Sequence, residues 1–224
     1  MKLLNDFIFI IPARKGSKGI KNKNIIKIKN KNLVEYTFEI LNKIPSNRKY
    51  VLSDSAKVKT IASKYKINTS YIRAKQLSGD KTLLVDNLIH FDKFIDKKLE
   101  FKHYVILQPT SPLRNFKDIT NSIEKYLKNK SESLFSISPS SEHPSESIFF
   151  RKKKIHYFNK NKHTLRQNYK ESYFINGAIY IFNRKLLKHK LTISNTKHIT
   201  FEMPKKRSLD LDDYQDLELA RKLI

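Results

Sequence analysis

Phe7-Ile8-Phe9-Ile10-Ile11 is an unbroken apolar run, rich in β-branched and aromatic residues, that ends at Pro12. A strand with one wet face alternates apolar and polar positions, whereas a continuous run of this length marks a strand buried on both faces. Such a strand needs neighbours on either side and helices above and below, which commits the chain to a covered, mostly parallel sheet. Proline cannot donate to a ladder, so it closes the run and opens a loop.

The rest of the chain supplies what that strand requires. Leu33, Val34, Tyr36, Thr37, Phe38, Ile40 and Leu41 recur at helical spacing, and Tyr50-Val51-Leu52 reads as a second short strand. A helix near Ser55 to Tyr65, a strand-like Thr69 to Ile72, a helix from about Leu84 to Ile95 and the strand Tyr104 to Leu107 follow. A helix over Phe116 to Lys128 and a strand over Leu134 to Ile137 continue the alternation, with ligands expected at the carboxyl ends of the strands. From Pro139 to Ser172 prolines, serines and a basic run at Arg151 to Lys154 interrupt it, predicting an inserted β-hairpin arm at 139–172. The strand Ala178 to Phe182 and an amphipathic helix from about Tyr214 to Leu223 complete a single domain over 1–224, without internal repeats.

Composition narrows the function classes. With 224 residues and 39% hydrophobic content, one sizeable core is the expectation. Cysteine is absent, which excludes disulfides and thiolate metal sites. No run reaches membrane-spanning length, and Asn5 and Asp6 interrupt the start before Arg14 and Lys15, so no signal peptide is read and a cytoplasmic location is expected. The net charge of +25 raises the question of nucleic acid. Lysine is, however, scattered with asparagine and isoleucine along the whole chain, without a helix-turn-helix glycine turn, an aromatic RNP-like strand or a Cys/His finger. Acidic small molecules suit the charge better.

Only four glycines occur, where an average chain carries about 7%. Gly16, Gly19, Gly79 and Gly177 all stand where a strand meets a loop. The loop Pro12 to Asn24 combines two of them with Arg14, Lys18 and Lys23: glycines let amides approach phosphate oxygens and the cations neutralise them. It is neither a Walker A loop nor a GxGxxG fingerprint, and on its own an ordinary basic surface loop is the alternative. Asp54 could serve a site or cap the following helix, with the cap favoured. The seven histidines lack ligand spacing, and His143 and His163 read as surface residues of the arm. Ser111, between two prolines, shapes a turn.

Five segments in fixed order resemble the CMP-sialic acid synthetase (acylneuraminate cytidylyltransferase) family. They are Pro12 to Asn24, Arg73-Ala74 with Leu77-Ser78-Gly79-Asp80, Gln108-Pro109-Thr110-Ser111-Pro112-Leu113-Arg114, Arg166-Gln167 leading to Asn176-Gly177-Ala178-Ile179-Tyr180, and Asp210-Leu211-Asp212. The resemblance covers essentially the whole chain. It implies a Rossmann-like, three-layer α/β nucleotidyltransferase with a mostly parallel sheet and an inserted dimerisation arm, joining CTP to a nine-carbon sugar acid to give a CMP-sugar and pyrophosphate.

By the same resemblance Arg14 and Lys23 hold the CTP phosphates with Ser17 and Lys18, while Asn24, Arg73 and Thr82 bind the nucleotide. Gln108 meets the sugar acid. Arg166, on the arm, reaches a neighbouring subunit's site and the sugar carboxylate, so a homodimer is implied. Asp210 and Asp212, alternating along an expected strand, offer two hard oxygens to Mg2+. Either Asp212 or Asp213 could instead cap the last helix. The chain departs from the family at Lys21, where proline is usual, and at Thr82-Leu83-Leu84, which bears on base recognition. The related enzymes for 3-deoxy-octulosonic or pseudaminic acid usually carry Arg where Gly19 stands, which argues against both. A catalytically idle polyanion-binding relative is the alternative of another class.

Overall fold

A computed structural model describes residues 2–17, 19–79, 82–95, 99–158, 166–189 and 198–224. Strand β1 (Phe7–Pro12) lies inside a six-stranded sheet, and Phe7 through Ile11 are all fully buried. A two-residue hairpin, β2 (Lys27–Ile28) and β3 (Lys31–Asn32), then leads into α1 (Leu33–Asn42). That helix starts at a reciprocal cap, Asn32 with Glu35, worth about 1 kcal/mol. Next come β4 (Lys49–Leu52), α2 (Ala56–Lys64), α3 (Leu84–Phe94), β5 (His103–Ile106), α4 (Phe116–Lys128) and β6 (Ser133–Pro139). The hairpin β7 (Ile148–Arg151) and β8 (Lys154–Tyr157) stands apart from the sheet. Strands β9 (Tyr173–Asn183) and β10 (His198–Glu202) return to it, and α5 (Tyr214–Leu223) closes the chain.

The strand order is β10-β6-β9-β5-β1-β4. Pairings β1 with β4, β1 with β5 and β10 with β6 are parallel, while β9 runs antiparallel to both β5 and β6. Phe7, Phe9 and Ile11 face one way into a core with Phe38 of α1, Val58 of α2 and Ile119 of α4. Ile8 and Ile10 face the other way, against Leu88 and Phe91 of α3. Truncating a ring such as Phe38 costs roughly 3–5 kcal/mol. A third cluster joins Ile20 to Leu211, Leu217 and Ala220, seating the loop after β1 on α5. Among the described residues no helix is long and apolar enough to cross a membrane.

The α/β class, the mostly parallel sheet and the five long helices agree with the sequence expectation. Four details differ. Strand β10 was not anticipated, because at the sheet edge none of its residues is fully buried and no apolar run marks it. Strand β9 is longer than Ala178 to Phe182 and antiparallel, which residue patterning cannot reveal. Thr69 to Ile72 is no strand: beside the edge strand β4 only Asn68 bridges Tyr50, and Ile72 is exposed. Asp210 to Asp212 is irregular backbone rather than strand. The hairpin β7–β8 falls inside the expected 139–172 arm, turns through Lys152 and Lys153 at φ of 50° and 62°, and exposes Phe149, Phe150, Ile155 and Phe158. Residues 159–165 of that arm, His163 among them, lie outside the described residues.

Candidate active site

The loop after β1 is fastened at several points before any ligand is considered. Ala13 N–H donates to Leu52 O at 3.1 Å, and Ser53 Oγ donates to Ala13 O at 2.5 Å. Lys15 N–H donates to Asp54 Oδ1 at 2.6 Å. Asn24 Nδ2 donates to Arg14 O at 3.0 Å, pulling the two ends of the loop together. Gly16 sits at φ +75°, the left-handed region glycine enters without strain. Gly19 is needed for a different reason: a Cβ there would lie 2.2 Å from the backbone oxygen of Asp212.

That contact brings the loop against the segment carrying the carboxylates. Lys23 Nζ donates to Leu211 O and to Asp212 Oδ1, both at 2.8 Å. Leu211 is fully buried and its N–H donates to Thr110 O at 2.8 Å, which fixes the backbone between the two carboxylates. Asp213, not Asp212, caps α5: its Oδ1 accepts from Gln215 N at 2.8 Å and Asp216 N at 3.0 Å. Asp212 remains available to the cleft.

Arg14, Ser17, Lys23, Asn24, Arg73, Thr82, Gln108 and Asp212 line one cleft of about 550 Å³ at the carboxyl ends of β1 and β5. Arg73 is nearly buried, and its Nε and Nη2 donate to Leu77 O at 2.9 and 2.8 Å. Burial lowers its guanidinium from the ordinary value; Asp54 opposes that and Arg14 adds to it. Thr82 Oγ1 donates to Gln76 O at 3.4 Å, so the hydroxyl supports the loop beside α3. Lys18, Asp80 and the side chain of Arg166 lie outside the described residues.

Asp210 stands beside the cleft. At Gly177, with φ +71°, a Cβ would lie 3.0 Å from Gln108 Oε1 and 3.4 Å from Asp210 Oδ2, so glycine there keeps both side chains close. Burial raises the Asp210 carboxyl above its ordinary value; Asp212 adds to this, and Thr110 and Lys23 oppose it. Asp210 Oδ1 is buried without a complete hydrogen bond among the described residues. A buried, unsatisfied carboxylate oxygen next to a second carboxylate is a place where a hard cation relieves the cost. The donor set suits Mg2+. No group of three or more His, Cys, Asp or Glu is assembled among the described residues, so an ion held here would complete its shell with phosphate oxygens and water.

Two residues escaped the sequence reading. Asp54 was favoured as a cap, but Ser55 caps α2, accepting from Val58 N, and Asp54 instead ties the loop to the end of β4. Its position at a strand's carboxyl end was the available signal. Arg114 is the largest fully buried side chain among the described residues, at 1% exposure, and only its place at the end of the Gln108 motif marked it. Ser111 does shape a turn, its N–H donating to Gln108 O at 3.4 Å.

Cations and carboxylates that meet across the carboxyl edge of such a sheet suit an α/β protein that binds a nucleotide's phosphates. Comparison makes the class specific. The sequence model of the cytidylyltransferase family matches residues 8–223, and the chain belongs to that family. It is 30% identical over 217 residues to the N-acylneuraminate cytidylyltransferase of Escherichia coli O18:K1:H7, covering 95% of this chain and 51% of that protein. It therefore spans about half the length of that relative. To the pseudaminic acid cytidylyltransferase of Campylobacter jejuni serotype O:2 it is 30% identical over 219 residues, covering 95% of this chain and 93% of the other. The solved CMP:2-keto-3-deoxy-manno-octonic acid synthetase complexed with CTP shares the fold at a TM-score of 0.71 and 18% identity, over 97% of each chain.

Proposed function

We propose that this chain joins CTP to an acidic nine-carbon sugar, releasing pyrophosphate. One observation carries the reading: the glycine loop with Arg14 and Lys23 closes against Asp212 and shares one cleft with Gln108. The anomeric oxygen of the sugar forms a bond to the α-phosphorus, the bond from that phosphorus to the bridging oxygen breaks, the hydroxyl proton is released, and pyrophosphate leaves. Arg14 and Lys23, with Ser17 and Lys18, hold the phosphates and balance charge on the leaving group. Asn24 and Arg73 shape the nucleoside side and Thr82 steadies its edge. Gln108 orients the sugar acid. Asp210 and Asp212 would hold Mg2+, which when bound supplies charge neutralisation at the phosphates. Positioning accounts for the rate without a covalent enzyme intermediate.

The exposed rings of β7–β8 support association with a second copy, which Arg166 would serve by meeting the sugar carboxylate in the partner's cleft. A second sugar class has its own support. The N-acylneuraminate and pseudaminic acid relatives stand at the same identity, so overall similarity does not favour one of the two substrates. Purified protein with CTP, Mg2+ and a panel of eight- and nine-carbon sugar acids, assayed for pyrophosphate, tests the proposal. Release with N-acylneuraminate-type acids supports it, release only with pseudaminic acid selects the second reading, and silence across acids and nucleotides overturns both. Binding that ignores CTP and weakens steeply with salt would indicate a polyanion-binding relative.

A further inference from the structure

We propose that Arg114 is a positioning residue for the sugar side of the cleft, setting the gap between Gln108 and Gly177 by gripping both backbones from behind; this rests on the function proposed above. Strands β5 and β9 pair from His103 with Asn183 to Ile106 with Tyr180. Two residues further on the next partners would be Gln108 and Ala178, but β5 has ended. A single Arg114 nitrogen spans that place: Nη1 donates to Gln108 O at 3.1 Å and to Ala178 O at 2.7 Å. Nη2 donates to Thr37 Oγ1 of α1 at 2.7 Å, anchoring the fork in the helix layer. The clamp stands in for the missing ladder bonds where one strand turns away to form the cleft floor.

Among the described residues this guanidinium forms no ion pair. Its three bonds go to neutral oxygens, and Nε has no partner among the described residues. Asp118, the nearby carboxylate, is occupied by Arg207, with Nε at 3.0 Å and Nη2 at 2.8 Å. Burial pushes the Arg114 guanidinium down to about 9, against the pull of Asp118. A buried charge without its own counter-ion is poor stabilisation, and apolar residues of similar volume often serve stability as well or better. What a planar fork does that an apolar side chain cannot is hold two carbonyls and a hydroxyl at fixed separations. One of those carbonyls belongs to Ala178, next in the chain to Gly177, whose pro-Cβ space touches Gln108 Oε1 and Asp210 Oδ2. A few tenths of an ångström lost there would move the Gln108 amide relative to the reacting hydroxyl.

The test compares wild type with Arg114→Lys and Arg114→Met, measuring kcat, both KM values, CTP affinity by calorimetry and Tm. Lysine keeps the charge but not the fork. The expected result is a rise of about tenfold or more in sugar-acid KM over kcat for the lysine variant, with CTP affinity within about twofold of wild type. Equal losses on both substrates, or an unchanged sugar KM in a folded variant, would overturn it. Should both variants fail to fold, Thr37→Val removes only the anchoring contact. It should weaken sugar use about threefold without touching CTP affinity, and an unchanged sugar KM there would also overturn the inference. Wild type silent with every sugar acid sinks the functional reading itself, a result distinct from selective loss in the variants.

Discussion

Lys23 Nζ lies 2.8 Å from Asp212 Oδ1, so the cation proposed to hold phosphate and the carboxylate proposed to hold metal neutralise each other across the mouth of the cleft. The Lys23 side chain is 12% exposed and that of Asp212 73%, an arrangement in which the pair is worth little and opens readily. Binding of a metal-bound triphosphate would exchange partners, the lysine turning to phosphate and the aspartate to the metal. Asp212→Asn should therefore bind CTP more tightly than wild type in EDTA, by several-fold, while turnover with Mg2+ falls by about a hundredfold or more. Calorimetry with and without EDTA checks the first half; equal or weaker metal-free binding refutes it.

Asp210 carries a pH signature. Its folded-state carboxyl titrates above the ordinary value of 3.8, chiefly through burial, so the folded chain holds this proton more tightly than the unfolded chain. Stability from this group is thus present at low pH and is lost as pH rises through the raised value. Asp210→Asn, which cannot ionise, should raise the Tm of the ligand-free protein at pH 7, and the gain should shrink as pH falls toward 4. Turnover should collapse all the same. A variant less stable at pH 7 than at pH 4, relative to wild type, would contradict the assignment.

Asp54 fixes the loop through one amide of Lys15, at 2.6 Å. Alanine there should raise the KM for CTP by about fivefold to tenfold, the cost of one charge-assisted bond, and leave the sugar KM alone. Asparagine keeps an acceptor oxygen and should recover most of the loss. If both variants match wild type, the tether is irrelevant to binding.

Two glycines of the same loop should respond differently. At Gly16 a Cβ meets open space but the φ of +75° is unfavourable, so Gly16→Ala should cost about 1 kcal/mol or somewhat more. At Gly19 the added carbon would sit 2.2 Å from the Asp212 carbonyl oxygen, forcing loop and carboxylate segment apart. Gly19→Ala should cut kcat/KM at least tenfold below Gly16→Ala, and kinetics near neutral pH would settle the order.

Arg166 offers a complementation test of the proposed dimer. If it serves the partner's cleft, mixing inactive Arg14→Ala and Arg166→Ala chains and refolding them together should recover about a quarter of wild-type activity, since half the dimers are mixed and each holds one intact site. No recovery, with dimers shown by light scattering, would place Arg166 in its own cleft or outside catalysis. Phe150→Lys on the exposed hairpin should weaken the dimer in the same measurement.

How much of this was legible in the sequence depended on the kind of interaction. The buried run Phe7 to Ile11 and the amphipathic spacing of Leu33 to Leu41 report burial, which residue type encodes locally, and both elements form where expected. The loop and its cations were visible because glycine is scarce in this chain. Asp213 resolved the ambiguity over the last helix by capping it, leaving Asp212 to the cleft. What stayed hidden was long-range. Nothing local tells that Asp54 bonds a residue 39 positions away, or that Arg114 reaches Ala178 across 64. Strand direction was equally silent: β9 runs against both its neighbours, yet pleat and burial do not depend on the sense of the chain.

That reversed strand has a consequence for how the molecule comes together. Strands β4, β1 and β5 can associate through nearby helical crossovers, and β6 with β10 form a separate pair; only β9 joins the two sets. It must travel to both from a late place in the chain, and such non-local pairing is the slow kind. Since β9 carries Asn176, Gly177 and Ala178, the joining of the two sets of strands and the completion of the cleft are one event. A chain stalled before it would lack the wall proposed to face the sugar, so recovery of enzyme activity during refolding should trail the return of helix signal rather than accompany it.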